Sequence, residues 1–254
     1  MKNWPYPVIC AHRGGGVFAP ENTLAGLRCG VAHGFRGVEF DVMLSGDEVP
    51  ILMHDPTLGR TVRGSGAVPD LMAAQLCAMD AGAWHSPAHT GERVPLFADV
   101  LEYGKQQGLW MNVEIKPAPG FEEKTGAVAA RLTAQYYADW LADPAPHLAQ
   151  IPLLSSFSFA ALQAAQAAAP QLPRGMLYEQ IPADWQAQLQ QLGCVSLHCN
   201  HKHLTPEMTQ AIRAAGYWVF VYTVNEAARA RELLGWGVNG MVTDRLDLLP
   251  PHLV

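Results

Sequence analysis

Short apolar segments alternate with longer amphipathic segments along the chain. The apolar segments have the length of β-strands, and the segments between them have the spacing and end signals of helices. The predicted strands cover residues 8–12, 37–43, 110–115, 151–156, 174–178, 194–198, 217–223 and 238–243. The predicted helices cover about residues 22–34, 96–107, 122–142, 158–169, 183–192, 205–215 and 225–235. This alternation predicts an α/β fold.

Several helix ends carry recognisable signals. Asn22 or Thr23 can cap the first helix, and Thr205 precedes a proline at the first helical position. Glycines stand where four helices should end, at Gly108, Gly193, Gly216 and Gly237. These signals support the predicted alternation.

Eight strands separated mostly by helices in 254 residues fit a single (β/α)8 TIM-barrel domain over residues 1–254. A doubly wound open sheet is the alternative. In a barrel, active groups gather at the carboxyl ends of several strands. The barrel interpretation therefore predicts that chemically active side chains fall at those ends.

One segment interrupts the alternation. A polar turn, Ser45-Gly46-Asp47-Glu48, is followed by a short apolar run that ends at His54 and predicts a returning strand. Residues 56–94 then contain many turn-forming residues and no long amphipathic helix. We interpret residues 56–94 as an insertion packed over the carboxyl ends of the strands.

Two carboxylates share one face of the second predicted strand. Glu39 and Asp41 are two residues apart, and Val38, Phe40 and Val42 supply the opposite, apolar face. Burying two carboxylates together is costly unless something compensates their charge. A divalent cation, Mg²⁺ or Ca²⁺, is the simplest compensation. A solvated strand face is the alternative.

The third predicted strand repeats this pattern. Asn112, Glu114 and Lys116 share one face, while Val113 and Ile115 share the other. Glu114 is a candidate third ligand of the cation, and Lys116 could balance charge or bind a phosphate oxygen. The alternative is that Glu114 and Lys116 form an ion pair with each other at a polar edge, without a ligand.

Two histidines fall at predicted strand ends. His12-Arg13-Gly14-Gly15-Gly16 follows the first strand, where an imidazole can transfer protons and an arginine can bind an anion. A solvated surface turn is the alternative for this loop. If the hairpin turns around Gly46 and Asp47, His54 is expected opposite Glu39 on the same face. This register would bring a second imidazole beside the carboxylates.

Other polar and aromatic residues are weaker candidates. The segment His198-Cys199-Asn200-His201-Lys202-His203 matches no familiar structural zinc pattern, and we expect it to form a polar loop at the barrel mouth. The candidate residues of a substrate pocket are Phe157, Asn200, Trp218 and Tyr222.

Composition narrows the function classes. A formal net charge of −6 argues against a general nucleic-acid-binding protein. The chain has five cysteines without a CxxC motif, no long apolar run and no amino-terminal apolar leader. These features predict a cytoplasmic protein without membrane insertion. They leave open whether the protein forms a homo-oligomer.

A series of motifs extends over nearly the whole chain: His12-Arg13-Gly14, Pro20-Glu21-Asn22-Thr23, Glu39-Phe40-Asp41-Val42, His54-Asp55, Arg60-Thr61, Glu114-Ile115-Lys116-Pro117, Leu154-Ser155-Ser156-Phe157, Tyr222-Thr223-Val224-Asn225 and Thr243-Asp244. Together these motifs resemble the glycerophosphodiester phosphodiesterase family. A narrower resemblance, to bacterial cytoplasmic members linked to glycerol-phosphate uptake, rests on Asn3-Trp4-Pro5-Tyr6-Pro7 and Asn200-His201-Lys202.

The resemblance implies hydrolysis of glycerophosphodiesters, such as glycerophosphocholine and glycerophosphoethanolamine, to sn-glycerol 3-phosphate and an alcohol. It also suggests a cyclic phosphate intermediate formed by a hydroxyl of the glycerol unit. By matching position, the implied roles are general acid/base catalysis for His12 and His54, phosphate binding for Arg13 and Lys116, and binding of one divalent cation for Glu39, Asp41 and Glu114.

Two other functions stay open from the sequence. A phospholipase D-like barrel acting on lysophospholipids or sphingomyelin would need an apolar or membrane-facing entrance, and residues 56–94 contain no strongly amphipathic helix. A non-catalytic phosphate-binding barrel would not need two histidines and three carboxylates.

Overall fold

The computed structural model describes residues 3–253, which form nine β-strands and nine α-helices. The strands are β1 (Ile9–Ala11), β2 (Gly37–Leu44), β3 (Pro50–Leu52), β4 (Trp110–Ile115), β5 (Leu153–Ser156), β6 (Arg174–Tyr178), β7 (Ser196–Asn200), β8 (Trp218–Tyr222) and β9 (Gly240–Thr243). The helices are α1 (Leu24–Ala32), α2 (Ala73–Leu76), α3 (Phe97–Gln107), α4 (Glu122–Tyr136), α5 (Ala138–Ala142), α6 (Phe159–Ala168), α7 (Trp185–Gln191), α8 (Pro206–Ala214) and α9 (Ala227–Trp236).

Eight of the described strands form a closed parallel barrel. Their order is β1-β9-β8-β7-β6-β5-β4-β2, and β1 also pairs with β2 through Ala11 and Val38. That second pairing closes the sheet on itself, whereas an open doubly wound sheet would leave two edges. The TIM-barrel prediction is therefore confirmed. β3 lies outside the closed ring, antiparallel to β2.

The helix-end signals act as the residue types predict. The Thr23 hydroxyl accepts a hydrogen bond from the Gly26 amide at 3.0 Å, so Thr23 rather than Asn22 caps α1. Gly108 ends α3 with a φ of +63°, a left-handed conformation that favours glycine. The helix predicted over 122–142 is instead two helices, because the backbone leaves helical geometry at Tyr137, where φ is −105° and ψ is 17°.

The β2–β3 hairpin differs from its predicted register by one residue. Val42 pairs with Leu52, which places Ser45 opposite Val49 across a three-residue turn. The turn gains its third residue because Glu48 adopts a φ of +60°, the left-handed conformation that such turns use. The expectation that His54 pairs with Glu39 is wrong, since β3 ends at Leu52 and His54 lies in the segment that follows.

β7 begins and ends two residues later than predicted. Gly175 of β6 pairs with Ser196, and Leu177 pairs with His198. His198 therefore lies within a strand and inside the barrel, not in a polar loop at its mouth. Asn200 becomes the last residue of β7.

Two apolar cores surround the barrel strands. The larger core lies between the outer strand faces and the helices, and it includes Val38, Phe40 and Val42 as predicted. A smaller core, which includes Met43 and Val68, anchors the segment after β3. Within residues 56–94, the four-residue α2 is the only α-helix.

Aromatic side chains fill the amino-terminal end of the barrel. Tyr6 stacks on Trp110 at 4.6 Å between ring centroids, and Trp4 meets Trp218 edge-on at 5.4 Å. Trp110 and Trp218 are the first residues of β4 and β8. Trp218 therefore lies at the end of the barrel opposite the carboxyl ends of the strands, and its placement in the substrate pocket was wrong. In residues 3–253, no helix has the length and apolar character needed to cross a bilayer.

Candidate active site

The loop after β1 presents His12 and Arg13 at the carboxyl end of the barrel. Arg13 has a φ of +49° and Gly14 a φ of +89°. A Cβ at Gly14 would approach the backbone nitrogen of Leu27 to 2.9 Å, so glycine permits the loop to pack against α1. The Arg13 amide donates a hydrogen bond to Glu39 Oε2 at 3.0 Å, which joins the loop to β2.

Two carboxylates flank the His12 imidazole. Nδ1 lies 2.6 Å from Asp244 Oδ1, and Nε2 lies 3.7 Å from Glu39 Oε2. Asp244 follows β9, where the Asn225 amide donates to its other oxygen at 3.0 Å. The short Asp244 contact fixes the orientation of the ring and leaves Nε2 directed toward the carboxylate cluster.

A second histidine is held in a similar way. His54 Nδ1 lies 2.6 Å from Asp55 Oδ1, and Arg60 Nε donates to the other Asp55 oxygen at 2.6 Å. Arg60 and His54 hold the pKa of Asp55 at about 2, far below its ordinary range. Asp55 is therefore ionised and available to orient the imidazole at neutral pH.

Glu21 links Arg13 to Arg60, the arginine that supports Asp55 and His54. Both of its oxygens accept from Arg60, at 2.7 and 2.8 Å, and Oε1 also accepts from Arg13 Nη1 at 2.8 Å. Burial raises the pKa of Glu21, but the two arginines outweigh this effect and the pKa lies below its usual value. Arg13 is thus held at the site by an ionised carboxylate.

Three buried carboxylates meet beside these groups. One oxygen from each of Glu39, Asp41 and Glu114 lies within 4.8 Å of the other two. Lys116 Nζ is 3.1 Å from Glu114 and 3.5 Å from Asp41, and the Asn22 amide donates to Asp41 at 2.8 Å. The carboxylate pattern on β2 and β4 converges as the sequence predicts.

The cluster contains more negative charge than its protein partners compensate. Burial and the charge of Asp41 raise the pKa of Glu114 to about 8. Burial also raises the pKa of Glu39, despite the favourable charge of His12. Burial acts in the same direction on Asp41, but Arg13 and Lys116 outweigh it, and the pKa of Asp41 lies below its usual value. Three convergent oxygen donors with unbalanced charge fit a divalent cation.

The two imidazoles have different electrostatic surroundings. Burial lowers the pKa of His12, but the Asp244 hydrogen bond and the charge of Glu39 outweigh it, and the pKa lies above its ordinary value. Burial lowers the pKa of His54, and Asp41 and Asp55 do not fully restore it. Groups with opposed pKa shifts suit a proton acceptor and a proton donor.

These side chains surround a cavity of about 240 Å³ at the carboxyl end of the barrel. Its lining residues are His12, Arg13, Glu39, His54, Asn112, Glu114, Lys116, Phe157, Leu177, His198, Phe220, Tyr222, Thr223 and Val242. Asp41 lies beside the cavity through its contact with Lys116. All seven residues that the family resemblance assigns to the site therefore converge.

The predicted pocket residues divide into two groups. Phe157 and Tyr222 lie at the cavity mouth with their rings 5.8 Å apart, and Tyr222 OH donates to the Tyr178 carbonyl at 2.9 Å. Asn200 lies at the same edge, but its amide donates to Glu179 and does not line this cavity. Trp218 lies at the opposite end of the barrel, as described above.

Several residues of the site had no predicted role in it. Asp244 directly follows a strand, and active residues of TIM barrels lie at the carboxyl ends of strands. Its partner His12, however, is 232 residues away in the sequence. His198 was predicted as the last residue of its strand and grouped with the polar loop that follows, because the end of β7 was placed two residues too early. The other residues without a predicted role in the site were Glu21, Asn22, Asp55, Arg60 and Asn225.

The fold and the site together define a class of protein. Two histidines, two cationic side chains and three carboxylates converge at the carboxyl end of a TIM barrel. This end is the usual location of active sites in the fold. The arrangement can bind an anionic group and move protons on either side of it. These are the requirements of an enzyme that cleaves phosphate esters.

Comparison with known proteins identifies the family. Residues 12–248 match the glycerophosphoryl diester phosphodiesterase family. A glycerophosphodiester phosphodiesterase of Bacillus subtilis is 30% identical over 252 residues, covering 94% of this chain and 83% of that protein. One from Caldanaerobacter subterraneus is 29% identical, covering 95% of this chain and 96% of its own length. The chain belongs to this family and is a glycerophosphodiester phosphodiesterase.

Solved structures agree with this assignment. A phosphodiesterase of Oleispira antarctica, in complex with the product sn-glycerol 3-phosphate, superposes with a TM-score of 0.87 and 36% identity, covering 94% of this chain and 93% of that one. A glycerophosphodiester phosphodiesterase of Agrobacterium tumefaciens gives a TM-score of 0.78 with 26% identity, covering 97% and 98%.

Proposed function

We propose that the protein hydrolyses glycerophosphodiesters to sn-glycerol 3-phosphate and an alcohol, with His12 and His54 as the general acid/base pair. The observation that carries this proposal is the single cavity that both imidazoles line together with Glu39 and Glu114. Each imidazole has an aspartate at 2.6 Å from Nδ1. Both rings are thus fixed with Nε2 as the nitrogen available for proton transfer.

The phosphate of the substrate lies between the two histidines. Arg13 and Lys116 both line the cavity, and their cationic groups stabilise negative charge on the non-bridging oxygens. Each side chain is held by carboxylates, Arg13 by Glu21 and Lys116 by Glu114. The cationic groups of Arg13 and Lys116 are therefore in position before the substrate binds.

The reaction proceeds in two steps. In the first, the C2 hydroxyl oxygen of the glycerol unit bonds to phosphorus and gives its proton to one imidazole. The bond from phosphorus to the alcohol oxygen breaks, and the other imidazole protonates that oxygen. In the second, water attacks the cyclic phosphate, its ring bond to the C2 oxygen breaks, and the imidazoles exchange roles. Attack by a neighbouring hydroxyl is favoured because it avoids much of the entropic barrier.

Glu39, Asp41 and Glu114 are the residues that would hold one divalent cation, Mg²⁺ or Ca²⁺. When bound, such a cation supplies positive charge that stabilises the phosphate oxygens. The unbalanced charge of the three carboxylates supports this assignment, since the pKa of Glu114 is raised to about 8 by burial and by Asp41. Oxygen donors suit both Mg²⁺ and Ca²⁺.

Water-soluble glycerophosphodiesters, such as glycerophosphocholine and glycerophosphoethanolamine, are the substrates we propose. Lysophospholipids are the competing class. The test compares release of sn-glycerol 3-phosphate from glycerophosphocholine with release of choline from lysophosphatidylcholine vesicles under the same conditions. We expect rapid turnover of the soluble diester, whereas a strong preference for vesicles would reverse this assignment.

The cellular setting is a separate proposal. The five cysteines are all free in the structure, as suits a reducing compartment such as the cytoplasm. Resistance of the protein's activity to millimolar thiol reductant is the expected result, and loss of activity under reduction would contradict it.

A further inference from the structure

The inner end of the cavity contains polar groups that the proposed reaction does not use. Asn112 precedes Glu114 by two residues on β4, and Phe220 precedes Tyr222 by two residues on β8. Side chains two residues apart share a face, so Asn112 and Phe220 lie one layer deeper in the barrel than the reacting groups. His198 pairs with Phe220 across β7 and β8 and lines the same layer.

Two polar atoms in this layer are unpaired. Asn112 Oδ1 and His198 Nδ1 have no hydrogen-bond partner among residues 3–253. Their side chains are almost wholly buried, with 2% of Asn112 and none of His198 exposed. Buried polar groups in native proteins are nearly always paired with protein, water or ligand. Both residues border the cavity, so a bound molecule there can supply the missing partner.

The surroundings of His198 are built to hold its ring in place. Nε2 lies 2.9 Å from Ser196 Oγ, and the ring lies 4.9 Å from that of Phe220. Gly175 packs against the same edge of the imidazole, where a Cβ would come within 2.6 Å of Ser196 Oγ and 2.8 Å of His198 Cδ2. Burial lowers the pKa of His198 to about 3, so the ring is neutral at physiological pH. A neutral imidazole offers one donor and one acceptor.

We propose that Asn112 and His198 bind the terminal C1 hydroxyl of the glycerol unit at the inner end of the cavity. This inference rests on the proposed function and extends it to the selection of glycerol. A hydroxyl both donates and accepts, which matches the amide of Asn112 and the neutral imidazole of His198. In the proposed reaction, the C2 hydroxyl attacks and the C3 oxygen carries the phosphate, so C1 is the position that needs a separate binding site.

The closed inner end and open mouth of the cavity agree with a substrate whose glycerol unit points inward. The inner end is closed by aromatic rings, with Phe220 within 6.1 Å of Trp110 between ring centroids. The mouth is bordered by Phe157, which is 44% exposed. Glycerol directed inward leaves the alcohol at the open end, where its size is less restricted. A substrate acylated at C1 would place a long chain against Phe220, which lines the inner end of the cavity, so we expect lysophospholipids to be excluded.

The first test compares two substrates of the wild-type protein. Glycerophosphocholine carries the C1 hydroxyl, and the phosphocholine diester of propane-1,2-diol, with the same configuration at C2, lacks only that group. Because the analogue leaves buried polar groups unpaired, we expect its kcat/KM to be lower by about 100-fold or more. Similar kcat/KM values for the two substrates, within about threefold, would overturn the proposal.

The second test uses His198→Phe with His147→Phe as the matched control. His147 stacks on Trp140 in the connection between α5 and β5, outside the site. We expect His198→Phe to reduce turnover of glycerophosphocholine and to bring the two substrates within about tenfold of each other. The control should keep the wild-type preference. Equal preference in His198→Phe and wild type would remove His198 from the proposal.

A binding measurement separates this inference from the proposed reaction and does not depend on the variant folding. Calorimetry with wild-type protein compares sn-glycerol 3-phosphate with the phosphate of propane-1,2-diol, at matched configuration. Tighter binding of glycerol 3-phosphate supports the hydroxyl site even if no diester is hydrolysed, in which case only the proposed reaction fails. Equal binding of the two phosphates contradicts the hydroxyl site, whatever the turnover.

Discussion

The two ends of the barrel interior are built from the same strands but from opposite chemistry. β4 begins with Trp110 in an aromatic cluster and reaches Glu114 in the carboxylate cluster four residues later. β8 likewise begins with Trp218 beside Trp4 and ends with Tyr222 at the cavity mouth. The amino-terminal end is filled with aromatic rings, whereas the carboxyl end contains buried charged groups.

This difference implies that the amino-terminal end of the barrel contributes mainly to stability and the carboxyl end mainly to function. Buried carboxylates such as Glu39 and Glu114 cost free energy in a protein without a bound cation. Large aromatic rings, in contrast, contribute substantial favourable burial. The account predicts that changes at the aromatic end alter unfolding and that changes at the charged end alter turnover.

Removal of either imidazole should have the largest effect. We expect His12→Ala and His54→Ala each to lower kcat for glycerophosphocholine by about 10²–10⁴-fold, because each removes a proton-transfer group. Steady-state kinetics measures the loss, and denaturant unfolding serves as the control for folding. If both variants kept near-normal turnover, the two-histidine mechanism would be wrong.

Removal of a ring from the aromatic end should act on stability instead. Trp110 is almost fully buried and contacts Tyr6, Trp4 and Phe220. We expect Trp110→Ala to lower the free energy of unfolding by about 3–5 kcal/mol. Under conditions in which the variant is folded, it should keep kcat within about threefold of wild type. A large loss of kcat in the folded variant would contradict the separation of the two ends.

Removal of the charge that orients His12 should have an intermediate effect on turnover. Asp244→Asn keeps the shape of the side chain but removes the charge beside His12 Nδ1. Because hydrogen bonds to charged groups contribute about 1.5–3 kcal/mol, we expect kcat to fall by about 10- to 100-fold with little change in KM. The pH dependence of kcat should also shift, since Asp244 helps raise the pKa of His12. Unchanged kcat and pH profile would rule out a positioning role for Asp244.

The smallest predicted effect concerns stability in mild acid. Burial lowers the pKa of His198 to about 3 from 6.5, so the unfolded chain binds a proton between these values and the folded protein does not. Stability therefore falls as pH falls through this window, by about 1.4 kcal/mol per pH unit from this residue. Urea unfolding at pH 6 and pH 5 should show a smaller decrease for His198→Phe than for wild type. Equal decreases would contradict the burial of a neutral imidazole.

The residues that sequence analysis located correctly depend on local patterns. Glu39, Asp41 and Glu114 were found because alternation along a strand determines which side chains share a face. The contact between His12 and Asp244 joins positions 232 residues apart, which no local pattern specifies. The hairpin register was missed because the left-handed conformation of Glu48 adds a turn residue.

Strand direction explains the remaining errors. Trp218 and Tyr222 lie on the same strand face, and both were assigned to the pocket. Their positions at opposite ends of β8 place them at opposite ends of the barrel, and the rule that sites lie at carboxyl ends distinguishes them. His198 was missed because its strand extends two residues further than the apolar pattern suggests.

Product analysis with and without a divalent cation determines whether the protein is a metal-dependent phosphodiesterase that releases sn-glycerol 3-phosphate. Protein treated with EDTA is incubated with glycerophosphocholine alone, with Mg²⁺ and with Ca²⁺, and the products are identified. The account predicts no turnover by the stripped protein and restoration by at least one ion, with sn-glycerol 3-phosphate and choline as products. Turnover that is the same in all three samples, or release of phosphocholine in place of choline, would contradict it.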